Sequence, residues 1–268
     1  MKFASILCPT DFSEPSQHAM EYAAAIARWS AARMIRLHVQ VGAYATVPAL
    51  VGGSVEAPAD LEIVQGSSPA DTIADFAASS KVDLIVIGTH GASGFRHLVL
   101  GSVTETVLRE VDCPVLTVPP RAHLTAQLPF RHVLSAVDFS SSSLAALQLG
   151  HSLAEDCHAE LEVLHVIDEP DDYALFVARA YDVHRHAEAH TRRVADHLRQ
   201  VLPAPCEHSR VRFRIARGDA EDEILRVGWE SCADLIVLGV SRGKAPMFGS
   251  TVNHVLRHAH CPVLTVRH

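Results

Sequence analysis

Several features are scarce in this sequence, and each of them excludes a class of protein. Only six cysteines occur among 268 residues and none forms a C-x-x-C pair, so neither a disulfide framework nor a cysteine metal site is expected. No apolar run approaches the roughly 20 residues of a membrane-spanning helix. Pro9-Thr10-Asp11 interrupts the first apolar run before it reaches the length of a signal-peptide core. These absences predict a cytoplasmic protein with no membrane partner and with reduced cysteines in its core.

Positive charge is scarce as well. The chain has 23 lysines and arginines against 31 aspartates and glutamates, a formal net charge of −8, and it contains no basic run. Nucleic-acid binding relies on a concentration of positive charge, so no nucleic-acid partner is expected. Because 48% of the residues are hydrophobic, the composition is that of a globular protein with an ample core.

What the chain does contain is two copies of one pattern. Asp11 corresponds to Asp138 and His38 to His165, both at a spacing of 127 residues. Further matches follow at spacings of 151 and 148 residues: Asp83–Gly88 with Asp234–Gly239, Gly101-Ser102 with Gly249-Ser250, and Cys113–Val118 with Cys261–Val266. The repeat predicts two domains of one fold, residues 1–120 and 130–268, joined by a linker.

Each copy alternates short β-branched apolar runs with helical patterns. Such alternation predicts an α/β fold, with helices on both faces of a parallel sheet. In the first copy, strands are predicted near 3–9, 34–40, 61–65, 83–88 and 114–118, and helices near 14–31, 68–80 and 102–111. Ser102 and Glu105 have the spacing of a capping box, so Ser102 is predicted to cap the third helix.

A glycine-rich loop follows the most apolar strand of the first copy. That strand ends at Gly88, and the next helix begins at Gly101-Ser102. Glycines let backbone N–H groups approach a ligand, and the first helical turn offers unpaired N–H groups at the positive end of the helix dipole, so the arrangement suits a phosphate. The spacing, Gly88-x-x-Gly91, nine residues and Gly101-Ser102, is neither a Walker loop nor G-x-G-x-x-G.

With its flanking strand and the segment Val103–Val118 after it, this spacing resembles the ATP-binding members of the universal stress protein family. The resemblance implies a doubly wound sheet with strand order 3-2-1-4-5, of the adenine nucleotide alpha hydrolase-like kind. It also implies ATP with Mg²⁺ as the ligand. Open α/β sheets bind ligands at the switch point of the strand order, which here lies between the first and fourth strands, where Asp11 and Gly88 stand.

The resemblance implies roles for single residues. Glycine amides and the Ser102 hydroxyl are expected to hold the phosphates, Val39 to pair with the adenine edge through its backbone, and Asp11 to contact the nucleoside or its metal. Asp11 has an alternative role as a helix cap, and His90 contacts phosphate, shuttles a proton, or is an exposed loop residue. The predicted nucleotide site comprises Pro9, Thr10, Asp11, Val39, Gly88, His90, Gly91, Gly101, Ser102 and Val103. No catalytic residue or protein metal site is predicted.

The second copy departs from this pattern in two places. Its glycine loop is three residues shorter and contains Arg242, Lys244 and Pro246. Either the basic pair meets phosphate or the site is degenerate, and we favour the degenerate site. Between its second and third strands the second copy is 25 residues longer and holds a helical stretch near Asp172–Leu202, where the first copy has a glycine- and proline-rich loop. His186 and His190 in that stretch share a face, but no third metal ligand is identifiable.

The sequence therefore predicts an ATP-binding, cytoplasmic stress-response or regulatory protein. In the family, last strands pair across a dimer interface; here Val115–Val118 is expected to pair with Val263–Val266 within one chain, and a homodimer remains an alternative. Two other functions stay open: a slow ATP-hydrolysing or adenylate-transferring enzyme, and a nucleotide-free scaffold. A hydrolase needs a positioned base, for which Asp11 and His90 are the candidates.

Overall fold

The structure is a computed structural model that describes residues 3–42, 60–89, 100–120, 122, 128–167, 196–198, 200–202, 210–241 and 250–268. Contacts divide the chain into two compact units. One is built mainly from Lys2–Pro129 together with Leu256–Arg267, and the other from Phe130–Val255. The last strand of the second sequence repeat therefore belongs to the first unit.

Six strands of the sheet formed by the described residues belong to the first unit. Its elements are β1 (Ser5–Pro9), α1 (Glu14–Ser30), β2 (Arg33–Gln40), β3 (Leu61–Gln65), α2 (Pro69–Ser79), β4 (Leu84–Gly88), α3 (Ser102–Glu110), β5 (Val115–Val118) and β10 (Val263–Arg267). The strand order is β3-β2-β1-β4-β5-β10, parallel from β3 to β5. The predicted order 3-2-1-4-5 is confirmed, and every predicted boundary in this copy lies within two residues of the observed one.

The second unit repeats the architecture. Its elements are β6 (His132–Ala136), α4 (Ser141–Cys157), β7 (Glu160–Ile167), β8 (Arg210–Arg217), α5 (Ala220–Glu230), β9 (Leu235–Val240) and α6 (Ser250–His258), which continues into the first unit. The strands β9-β6-β7-β8 are parallel neighbours. The predicted α/β fold class is thus confirmed in both copies.

Apolar strands and their helices form the core of each unit. Ile6, Leu7 and Ile85 on the central strands of the first unit are fully buried, as the unbroken apolar runs require. Helix α1 packs on β1 and β4, whereas α2 packs on β2 and α3. Asp83, directly before β4, holds the start of β1 in place. The Asp83 carboxylate accepts hydrogen bonds from the amides of Ala4 (2.7 Å) and Ser5 (3.1 Å).

The last strands of the two repeats pair antiparallel within the chain, as the sequence predicted. Leu116 lies opposite Leu264, and two threonines bracket this central pair. The Thr117 hydroxyl donates to the Val263 carbonyl (3.1 Å), and the Thr265 hydroxyl donates to the Val115 carbonyl (3.2 Å). Each strand therefore covers an edge that would otherwise be open to pairing with other chains.

Two predictions about single residues are wrong. Gly101, not Ser102, is the N-cap of α3, with φ −61° and ψ 138°, and it makes no side-chain cap. The helix begins one residue earlier than a capping box at Ser102 would require, because the Gly101 carbonyl already accepts from the Glu105 amide (2.9 Å). Cys232 is exposed rather than in the core, since it occupies a left-handed turn position (φ 51°) after α5.

Some predictions lie outside the described residues. They concern the histidine pair at 186 and 190, most of the stretch 172–202, the loop of the first copy at 43–59, Cys206, and the second glycine loop at 242–249. Among the helices that the structure describes, none is long and apolar enough to cross a membrane.

Candidate functional site

A crevice opens at the carboxyl ends of β1, β2 and β4, with a cavity of about 330 Å³. The starts of α2 and α3 complete its walls. Eight of the ten predicted site residues lie along it: Pro9, Thr10, Asp11, Val39, Gly88, Gly101, Ser102 and Val103. His90 and Gly91 are outside the described residues. The structure thus brings together residues from four separate segments at the switch point of the sheet, and their contact with a nucleotide remains a prediction.

The turn from β1 to α1 presents Asp11 at the crevice. One carboxylate oxygen of Asp11, Oδ1, accepts from the Ser13 amide (3.0 Å) and from the Ser13 hydroxyl. Ser13 is the N-cap of α1, and its own hydroxyl oxygen accepts from the Ser16 amide (3.4 Å). The alternative role for Asp11 is therefore only indirect: it orients the capping residue and is not itself the cap.

Two buried hydroxyls lie behind this turn. Thr10 and Ser16 are 7% and 6% exposed, and their oxygens are 3.1 Å apart. The Ser16 hydroxyl donates to the Ser13 carbonyl (2.9 Å), so Thr10 donates to Ser16, while Thr10 accepts from the Phe12 amide (3.0 Å). Sequence reasoning missed Ser16, although a small polar residue one turn into an apolar helix face was an available signal.

The β4–α3 connection supplies the second wall. The Thr104 hydroxyl donates to the Gly88 carbonyl (2.8 Å), and the Gly101 amide donates to the Thr89 carbonyl (2.8 Å). These bonds hold the start of α3 against the end of β4. No side-chain acceptor among the described residues caps α3. The amides of its first turn are therefore donors for an anion, as at other helix N-termini.

The third wall is apolar. Leu37 and Val39 of β2 and Ile73 of α2 lie along the cavity, with Ile87 and Pro69. Val39 is the last but one residue of its strand and lies opposite Val64. Sequence reasoning missed Pro69 and Ile73, because their position depends on how α2 packs across β2. The crevice joins an apolar slot to a helix start whose amides can donate to an anion.

A thiol lies next to this crevice. Cys8 is fully buried in β1, directly before Pro9. Burial raises the pKa of the Cys8 thiol to about 12, an effect that the positive charge of Arg36 only partly opposes. The thiol is therefore protonated at neutral pH and does not act as a nucleophile.

The equivalent turn of the second repeat has changed its polar contacts. Val137 stands in place of Thr10, and the Asp138 amide donates instead to the Ser143 hydroxyl (3.3 Å). The Asp138 carboxylate accepts from the Ser140 amide (2.9 Å) and hydroxyl (2.6 Å). Desolvation raises the pKa of Asp138, but hydrogen bonds from Ser140 and Ser143 outweigh it, so the pKa lies below its ordinary value.

Gly239, the counterpart of Gly88, has a packing role. A Cβ atom on Gly239 would lie 2.3 Å from the Ser143 amide nitrogen and 2.4 Å from the Ser142 carbonyl carbon. The end of β9 therefore touches the backbone of α4 directly. The presence of a glycine at this strand end is explained without a phosphate.

Comparisons with known proteins agree with the repeat. The sequence pattern of the Universal stress protein family matches residues 54–119 and 129–267. A universal stress protein from Methanocaldococcus jannaschii is 32% identical over 43% of this chain and 82% of its own length. Universal stress protein G of Escherichia coli O157:H7 is 30% identical over 52% of this chain and 99% of its own length.

Solved structures share the fold over both repeats. A universal stress protein from Archaeoglobus fulgidus DSM 4304 is similar with a TM-score of 0.67 at 23% identity, over 98% of both chains. A functionally unknown protein from Pseudomonas aeruginosa PAO1 gives a TM-score of 0.71 at 18% identity, over 99% of this chain and 92% of its own. Because the family pattern covers most of the sequence and occurs in both repeats, this chain belongs to the universal stress protein family.

Proposed function

We propose that the first repeat binds ATP with Mg²⁺ in the crevice between β1, β2 and β4, and that the protein is a cytoplasmic, nucleotide-dependent regulator of a stress response. One observation carries the proposal: a single cavity of about 330 Å³ joins an apolar slot to the start of a helix without a side-chain cap. A nucleoside triphosphate has the same two halves, a flat heterocycle and a chain of anionic groups.

The phosphates would meet the first turn of α3. Gly101 brings no side chain to this turn, and Ser102 adds an exposed hydroxyl. Backbone amides at a helix N-terminus donate to phosphate oxygens, and the helix dipole favours their negative charge. The bond from Thr104 to the Gly88 carbonyl holds these amides at the end of β4.

The nucleoside would lie between β2 and α2. Leu37, Val39 and Ile73 give the apolar contact that an adenine ring needs. Asp11 is the one carboxylate among the described residues along the cavity, and carboxylates accept hydrogen bonds from ribose hydroxyls. Mg²⁺ commonly binds through substrate phosphates, waters and one or two carboxylates, so Asp11 is also the residue that would hold it, and the metal would neutralise phosphate charge.

We favour binding over rapid turnover. The two titratable side chains among the described residues of the cavity, Asp11 and His38, are both engaged in holding the β1–α1 turn. A hydrolase needs a group that positions or deprotonates the attacking water. Turnover faster than about one per second, the low end of ordinary enzymes, would support the enzymatic alternative instead.

Two measurements test the proposal. Protein purified from cells is examined for bound nucleotide by absorbance and mass spectrometry, and nucleotide-free protein is titrated with ATP and Mg²⁺ in a calorimeter. One site per chain is expected, because the first repeat has the full glycine spacing and the second does not. Two equal sites would contradict the expected difference between the repeats. A chain that binds no ATP would favour the nucleotide-free scaffold instead.

A further inference from the structure

The same pair of rings lies beneath the turn of each repeat. In the first repeat, the Phe12 ring packs on the His38 imidazole with a centroid distance of 4.7 Å. In the second, Phe139 packs on His165 at 4.9 Å. The interplanar angles, 40° and 44°, also agree. Two copies that have diverged elsewhere therefore keep one local geometry.

A hydrogen bond joins each histidine to the same turn. His38 Nδ1 lies 2.9 Å from the Thr10 carbonyl oxygen, and His165 Nδ1 lies 2.7 Å from the Val137 carbonyl oxygen. A carbonyl oxygen only accepts, so Nδ1 carries the proton in both imidazoles. Each imidazole thus holds the turn at two points, the residue before the aspartate and the residue after it.

The turn needs such support. Phe12 and Phe139 have φ values of 63° and 64°, in the left-handed region that bulky residues rarely adopt. A backbone of this kind costs free energy, and it persists only where surrounding contacts compensate. Asp11 lies between Thr10 and Phe12, the two residues that His38 contacts, so its backbone position depends on both contacts.

We propose that His38 is a positioning residue for the nucleotide site, acting through Asp11. The imidazole holds Thr10 by a hydrogen bond and Phe12 by ring contact, and thereby sets where the Asp11 carboxylate stands in the crevice. The inference rests on the proposed ATP binding. In this inference His38 affects binding only through the wall that carries the Asp11 carboxylate. The helix start at Gly101 does not depend on His38.

The second repeat provides a matched control. His165 makes the same two contacts, but its turn carries Asp138 in a repeat whose glycine spacing is altered. A substitution at His165 removes the same hydrogen bond and ring contact from the other repeat. Phe139 also packs on His197 with a centroid distance of 4.8 Å. The effect of His165→Leu on thermal unfolding therefore gives a lower bound on the structural cost of losing the two contacts, separately from ligand affinity.

A double-mutant cycle on the full chain tests the proposal. The variants are His38→Leu, Asp11→Ala and the combination, with His165→Leu as control, and the measurement is the dissociation constant for ATP with Mg²⁺ by calorimetry. His38→Leu is expected to weaken binding about tenfold, the scale of a hydrogen bond to a charged group. If His38 acts through Asp11, the double variant binds no more weakly than Asp11→Ala alone. His165→Leu should leave the affinity unchanged.

A conservative variant guards against loss of folding. His38→Asn keeps an N–H donor near the Nδ1 position and should restore most of the affinity. Additive losses in the cycle, or wild-type affinity in a folded His38→Leu variant, would overturn the inference while the proposed function stands. If the His38→Leu chain does not fold, His38→Asn takes its place in the cycle, and a folded His38→Asn variant that binds more weakly than Asp11→Ala would overturn the inference. A wild-type chain that binds no ATP overturns both.

Discussion

The two repeats share one fold, but some of the residues that line the crevice differ between them. Asp234 accepts from the Arg131 and His132 amides as Asp83 does from Ala4 and Ser5, so the strand starts are fixed alike. Helices α1 and α4 both end in a left-handed residue, at φ 56° and 55°. Two of the crevice residues have changed: Thr10 is replaced by Val137 and Pro9 by Ala136.

This difference identifies residues of the first repeat whose role goes beyond the shared fold. The glycine near the end of the fourth strand occurs in both repeats, and in the second repeat it is required by packing, as the contact of Gly239 with α4 shows. A feature confined to the first repeat, such as the Thr10–Ser16 hydroxyl pair, is the better candidate for a role in binding.

The largest expected effect is on nucleotide affinity, from Gly101→Asp. An aspartate suits the N-cap backbone that Gly101 already adopts, so the helix should form and the chain should fold. Its charge would stand where phosphate is expected, and we predict that ATP affinity falls by at least about a hundredfold. Calorimetric titration measures it. Gly249→Asp, the counterpart by sequence, should leave affinity unchanged, and normal ATP binding by Gly101→Asp would mean that the phosphates bind elsewhere.

Gly239→Ala should destabilise the second unit. The added methyl group would overlap the backbone of Ser142 and Ser143, which cannot move as a flexible side chain does. We expect the free energy of unfolding to fall by about 3 kcal/mol, the upper range for overpacking, as measured in urea. Gly150→Ala is the control. Gly150 lies in α4, and a Cβ atom there would be 3.4 Å from Val237 Cγ2 of β9, an ordinary contact distance. Equal stability of the two variants would contradict the close packing.

Thr10→Val makes the first turn resemble the second. It removes one partner of the Ser16 hydroxyl and the partner of the Phe12 amide, so a buried hydroxyl and a half-buried backbone donor lose one bond each. The free energy of unfolding should fall by about 1–2 kcal/mol. The reverse change, Val137→Thr, should lower the free energy of unfolding by less, because it removes no hydrogen bond from the second turn. There the Ser143 hydroxyl accepts from the Asp138 amide without any contribution from residue 137. Chemical denaturation of both variants shows which one loses more stability. A larger loss for Val137→Thr would contradict the structural role of the Thr10 hydroxyl in the first turn.

The smallest expected effect is a pH dependence from Asp138. Its pKa lies below the ordinary 3.8, so the ionised form is favoured by folding. That contribution is fully present above pH 3.8 and is lost as the pH falls through the lower, folded-state pKa. Because the carboxylate is exposed, the amount should stay below about 1 kcal/mol. Asp138→Asn should flatten the acid limb of stability against pH, and an unchanged limb would contradict the hydrogen-bonded carboxylate.

Local patterns in the sequence predict most of the frame. Apolar runs ending at Gly88 and Asp11 place two strand ends, and the glycine spacing places the start of α3 close by. Features that depend on packing were not predictable. Ile73 reaches the cavity only because α2 crosses β2, and the pairing of Phe12 with His38 joins residues from different elements. The capping box failed because its spacing does not say which residue takes the extended cap conformation.

The pairing of β5 with β10 has a consequence for synthesis of the protein. Thr117 and its partner Val263 are 146 residues apart. At about 5–20 residues per second, the ribosome needs roughly 7 to 30 s to make that intervening chain. During this time the N-terminal unit has an open sheet edge at β5, so it cannot be completed before the second repeat has been translated. The order in which the units become complete therefore does not follow the order in which their first residues leave the ribosome.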